Sequence, residues 1–91
     1  PDIPIILISN PNPSYSPKEE RRRAAILETY NNALAAGDKN VYFIDGEKFF
    51  PKEFFGCYTV DSVHPNDAGF IHMANRIGKE VSKVLNIDWP Y

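Results

Sequence analysis

The stretch IPIILIS, Ile3 to Ser9, decides the fold class. Its apolar residues run continuously instead of alternating with polar ones, the pattern of a strand covered on both faces, as parallel strands of α/β proteins are. The run ends in Asn10-Pro11-Asn12-Pro13-Ser14, where two prolines without N–H donors cannot continue a ladder, so a loop follows. Ser16-Pro17-Lys18-Glu19 then reads as a helix start, with Ser16 as N-cap, Pro17 in the first turn and Glu19 at the capping-box position. Ala24, Leu27, Tyr30 and Leu34 recur at helical spacing, and Gly37 is placed to end the helix just after Ala36 in a left-handed conformation. A second β-branched and aromatic run, Val41 to Asp45, predicts a second buried strand. The helical interval between the two strands is long enough for a right-handed crossover, which makes residues 3–45 a parallel βαβ unit.

Outward from this unit the chain is short. Its 91 residues suffice for one small domain, and its 43% hydrophobic and 24% charged residues are those of an ordinary globular protein. A formal net charge of −2 gives no electrostatic reason to expect nucleic acid or an anionic membrane as partner. The basic run Lys18, Arg21, Arg22 and Arg23 is balanced by Glu19, Glu20 and Glu28 and reads as a solvated helix face. One cysteine, Cys57, excludes an internal disulfide and a cysteine-based zinc site, and its aromatic setting predicts a buried, inert thiol. No apolar run reaches the roughly 18–20 residues that span a bilayer. The chain starts at Pro1 without an initiator methionine, on the approach to the first strand, and upstream residues are therefore expected.

From Glu47 to Tyr58 the sequence is aromatic and irregular, interrupted by Pro51 and Gly56, and reads mostly as loop. A last helix is predicted from about Asn66 to Leu85, with Phe70, Met73, Ala74, Ile77, Val81, Val84 and Leu85 as its apolar stripe. His72 lies off that stripe and is expected to face solvent. The order β-α-β-loop-α belongs to a doubly wound parallel α/β sheet. Two such strands leave outer edges that two helices cannot satisfy, so the chain reads as a fragment, or as a chain that needs a partner.

Between loop and last helix stands VDSVHPNDAGF, Val60 to Phe70. A histidine that accepts a proton from a nucleophile must have its other ring nitrogen held as a donor, for which a carboxylate serves. Asp61 is placed to orient His64 in this way, with Pro65 restricting the backbone beyond the imidazole. Spacing alone leaves a second reading open, a surface turn followed by a helix cap. Asn66 and Asp67 beside this pair suggest helix capping before they suggest a metal cluster, and no metal ligand set is assigned. Asp45 is placed to tie the turn after its strand.

The run Asp61 to Phe70, followed by Met73, Ala74 and Ile77, resembles the last block of the SGNH (GDSL-type) hydrolases, commonly written D-x-x-H-P-N-x-x-G. The strand ending in Ile8-Ser9-Asn10-Pro11, the helix with Tyr30-Asn31 and the strand ending in Ile44-Asp45 are arranged as in the C-terminal half of that family. The resemblance covers essentially all of residues 1–91 as the C-terminal portion of one domain of flavodoxin-like, three-layer fold. It implies a serine esterase of carboxylic esters, acetylated carbohydrate among them, that uses no metal or other cofactor. His64 resembles its general base and Asp61 the orienting acid. Phe54, Phe55 and Tyr58, just before this block, are placed to line a substrate pocket, or else to pack under a long loop. The Gly-Asp-Ser nucleophile block and the oxyanion-hole glycine and asparagine have no counterpart in these residues. Ser9, Ser14, Ser16, Ser62 and Ser82 lack that context, and Ser62 stands where the family often has glycine. The expectation is a chain nearly inactive alone, whose serine comes from a missing N-terminal half. The alternative is a non-catalytic α/β module that associates through its strand edges, with a second copy or with that half.

Overall fold

The computed structural model describes residues 2–12 and 16–89, so the turn residues Pro13 and Ser14 and the terminal Tyr91 lie outside the description. Its elements are strand β1 (Ile5–Ile8), helix α1 (Pro17–Ala35), strand β2 (Val41–Ile44), 3₁₀ segments at Gly46–Lys48 and Lys52–Tyr58, and helix α2 (Asp67–Leu85). The protein is thus a mixed α/β chain built on a two-stranded parallel sheet, with Ile5, Ile6, Leu7 and Ile8 paired to Val41, Tyr42, Phe43 and Ile44.

Side chains alternate across a strand, so each residue pair faces one layer. Ile6, Ile8 and Ile44 join Phe49, Phe50, Met73 and Ile77, which brings α2 onto that face. On the opposite face Phe43 meets Tyr30 of α1, ring centroids 6.0 Å apart. Helix α1 thus lies against the sheet, while α2 packs chiefly on the second 3₁₀ segment. The core is small, consisting of Val41, Ile44, Phe49 and Phe50. Phe49 is 1% exposed, and burying a side chain of this size stabilises by roughly 1.5–3 kcal/mol.

Local chemistry explains the element ends. Ser16 caps α1 by accepting from the Glu19 N–H at 3.3 Å. Gly37 takes φ +90°, and the Gly37 and Asp38 N–H groups return to the Leu34 and Ala33 carbonyls. At the C-terminal ends of the strands, the buried Ser9 hydroxyl accepts from the Gly46 N–H at 2.7 Å, tying β1 to the chain that leaves β2. Helix α2 ends at Asn86, which supplies the left-handed residue with φ 55°. Beyond it Trp89 packs over Gly78.

Several expectations require correction. Segment 47–58 is not mostly loop, because Phe49 and Phe50 anchor it to the core and the backbone between its prolines and glycines tightens into 3₁₀ turns. Arg23 is not part of a solvated face: it is half-buried and pairs with Asp45, its Nε and Nη2 donating to the two carboxylate oxygens at 3.0 and 2.6 Å. Asp45 does tie its turn, accepting also from the Glu47 N–H at 3.1 Å. Cys57 is exposed, in a 3₁₀ segment, Lys52–Tyr58, that has no buried residue. Ala24 and Leu34 of the α1 stripe and Phe70 and Leu85 of the α2 stripe are exposed, because the sheet is too narrow to cover a full helix face.

That narrowness also leaves β1 less covered than a two-faced strand. Ile5 is 45% exposed, and among the described residues β1 pairs with β2 alone. The whole chain exposes 6304 Å², where a folded monomer of 10.3 kDa exposes about 5,400 Å². Its radius of gyration of 14.4 Å likewise exceeds the roughly 12 Å of a compact domain this long.

Candidate acid–base site

Residues 59–66 form a turn pinned at both ends. Thr59 and Pro65 make an isolated antiparallel bridge, the Val60 N–H donates to the His64 carbonyl at 2.9 Å, and the Asn66 N–H donates to the Tyr58 carbonyl at 2.8 Å. Asn66 joins turn to helix with its side chain: Oδ1 accepts from the Gly69 N–H at 2.9 Å and Nδ2 donates to the Cys57 carbonyl at 2.8 Å. Gly69 is needed because a Cβ there would lie 2.2 Å from the Tyr58 oxygen. The first turn of α2 and the end of the second 3₁₀ segment are thus in backbone contact, and the turn between them has little freedom.

Inside this frame the loop doubles back on Asp61. Oδ1 accepts from the Val63 N–H at 3.0 Å and the His64 N–H at 2.7 Å, an Asx turn. Oδ2 stands 2.6 Å from His64 Nδ1. Ser62, at the bend, has φ 68°, and the Thr59 hydroxyl accepts from its N–H at 3.2 Å. The Asp61 carboxylate therefore has two structural partners, its own turn and the His64 ring. One carboxylate oxygen builds the turn and the other orients the ring.

Three hydrogen bonds to a carboxylate favour its charged form. The His64 N–H, the His64 ring and the Val63 N–H, in that order, push the Asp61 pKa down from 3.8 to about 2. Ionised Asp61 can only accept, so Nδ1 carries the hydrogen of neutral His64 and Nε2 keeps a free lone pair. With 75% of its side chain exposed, His64 presents an oriented base to whatever approaches. Such a pair can take a proton from a hydroxyl nucleophile and hold the resulting imidazolium.

The serines fall into place around it. Ser9 is buried on the Gly46 N–H, Ser16 caps α1, Ser82 donates to the Gly78 carbonyl at 2.6 Å, and Ser62 sits within the turn itself. Ser14 lies outside the described residues. Of the residues considered for substrate contact, Phe55 and Tyr58 pack on Phe50 at centroid distances of 5.6 and 5.1 Å, while Phe54 is 60% exposed. His72, expected in solvent, instead stacks on Phe50 at 5.2 Å and 29°, and its Nε2 bonds the Phe49 carbonyl. A histidine one helical turn beyond Gly69 and next to Met73 was the available signal, visible only once Phe50 is known to lie beneath it. Among the described residues no group of three or more His, Cys, Asp or Glu side chains is arranged to hold a metal ion. No helix of the described residues is long and apolar enough to cross a membrane. Comparison with protein-family models, curated proteins and solved structures finds no match to this chain.

Proposed function

We propose that this chain is the acid–base half of a serine ester hydrolase of SGNH type, the C-terminal portion of a flavodoxin-like, three-layer doubly wound domain. The observation that carries the reading is the 2.6 Å contact between Asp61 Oδ2 and His64 Nδ1 on a carboxylate that its own backbone turn keeps ionised. In this reading a serine from an upstream segment attacks the ester carbonyl as His64 Nε2 takes its proton. His64 returns that proton to the departing alkoxide, and Asp61 stabilises the intervening imidazolium. Water, deprotonated by the same nitrogen, then releases the acid from the acyl-serine. The wet, one-sided strand β1 supports an upstream strand pairing along its open edge. Carboxylic esters, acetylated carbohydrate among them, are the proposed substrates, and exposed Phe54 is the most available of the three aromatic candidates to contact them.

A second reading, a non-catalytic module that pairs through its edges, draws on the same open edge and on a surface about 900 Å² larger than its mass requires, close to one partner's share of a standard interface. Hydrolysis of p-nitrophenyl acetate separates the two. The chain alone is expected to be nearly inactive. Joined to the polypeptide encoded immediately upstream, it is expected to gain activity that His64→Ala lowers by about 10⁴-fold. Activity indifferent to that substitution, or no gain together with self-association, overturns the hydrolase reading.

A further inference from the structure

The side-chain bonds that orient His64 on Asp61 all lie within residues 59–64, so they fix the shape of the turn and not its place in the fold. We propose that Asn66 sets that place as a positioning residue for His64, through the donation of its Nδ2 to the Cys57 carbonyl and not as a helix cap alone. The proposal rests on the acid–base reading of Asp61 and His64.

Among the described residues, Asn66 has the one side chain of segment 59–66 whose hydrogen bonds leave that segment. It reaches two anchored elements. Oδ1 accepts from the Gly69 N–H at 2.9 Å, on a helix whose Met73 and Ile77 pack on the core. Nδ2 donates to the Cys57 carbonyl at 2.8 Å, in a 3₁₀ segment whose Phe55 and Tyr58 pack on Phe50. His64 stands two residues away with 75% of its side chain exposed, so its ring takes little restraint from packing and depends on the backbone that carries it.

The chemistry of the two bonds separates positioning from capping. A cap needs only an acceptor, and asparagine, aspartate and serine serve about equally well there. The bond to Cys57 needs a donor on the same side chain, directed away from the helix. An amide supplies both in one plane, and because the Gly69 N–H can only donate and the Cys57 carbonyl can only accept, the two partners fix which end of the amide faces which. A carboxylate would cap the helix but set two acceptors against each other at Cys57. A serine hydroxyl, one bond shorter, would cap without reaching the second partner.

The test compares Asn66→Asp and Asn66→Ser with the parent in the isotopically labelled 91-residue chain. It reads the His64 ring nitrogens at alkaline pH and the exchange of the Val60 amide, which donates to the His64 carbonyl. Both variants keep a cap and lack the donor, and only the first adds a charge. In both, the amide signals of α2 are expected to stay helical, the preference of the ring hydrogen for Nδ1 to fall, and Val60 exchange to quicken roughly fivefold, the effect of one lost hydrogen bond. Ring and exchange unchanged in both variants, or changed in Asn66→Asp alone, where the added charge is the cause, would overturn the role of Asn66. Loss of the helical signals of α2 in both would overturn it too, by making Asn66 a cap and no more. A parent ring with its hydrogen on Nε2 would instead overturn the acid–base reading on which the proposal rests.

Discussion

Replacing Gly69 by alanine sets two effects of opposite sign against each other. Gly69 lies in the first turn of α2, where alanine's helix propensity alone would stabilise by about 1 kcal/mol. Against this, the new Cβ would stand 2.2 Å from the Tyr58 carbonyl oxygen and 3.0 Å from the Pro65 Cβ. Ordinary contact at that oxygen requires a retreat of about 1 Å, a displacement of backbone that belongs to the overpacking range of roughly 1–3 kcal/mol. The same oxygen accepts from the Asn66 N–H at 2.8 Å, and losing that bond adds about 0.5–1.5 kcal/mol. The net expectation is destabilisation by about 1–3 kcal/mol. Urea titration at neutral pH measures it, and amide exchange at Val60 and Asn66 should quicken as the turn loosens. A variant as stable as the parent, or more stable, would show that the helix tolerates the methyl group and that the turn is not held by this contact.

Three further substitutions probe neighbouring parts. Ser62→Gly relieves a left-handed backbone angle of 68° at a cost in chain entropy, and should stabilise by about 0.5–1 kcal/mol in the same titration; destabilisation would mean that the Ser62 side chain holds the turn. Asp61 titrates lower in the fold than its ordinary 3.8, so its contribution is present above about pH 4 and is lost as pH falls through about 2. Asp61→Asn should therefore lower stability at pH 7 while flattening the acid limb of the stability profile, and an acid limb unchanged by the substitution would refute the hydrogen-bond assignment. Arg23→Met leaves Asp45, whose side chain is 14% exposed, without its bidentate partner. A loss of about 2–3 kcal/mol is expected, below the 3–5 kcal/mol of a wholly buried pair, and a neutral effect would return Arg23 to the solvated face.

How far such features can be read in a sequence depends on how local their causes are. β1, α1, β2 and α2 were legible because apolar runs, Ser16, Gly37 and Asn66 act over three or four residues. The Asp61–His64 pair was legible for the same reason, as was the role of Asn66 as a cap. Arg23 was misread because its partner lies 22 residues away, beyond any helical spacing. His72 was misread because the ring beneath it, Phe50, comes from a segment whose shape is set by the core and not by its own pattern. The role of Gly69 follows from a close backbone approach that composition does not encode.

The central claim is that Asp61 holds His64 as an oriented base, and the ring itself reports it. Nitrogen-15 shifts of the His64 imidazole in the 91-residue chain at alkaline pH should show hydrogen on Nδ1 and a bare Nε2, and Asp61→Asn should abolish that preference. A ring with its hydrogen on Nε2, or a tautomer indifferent to Asp61→Asn, would contradict the account.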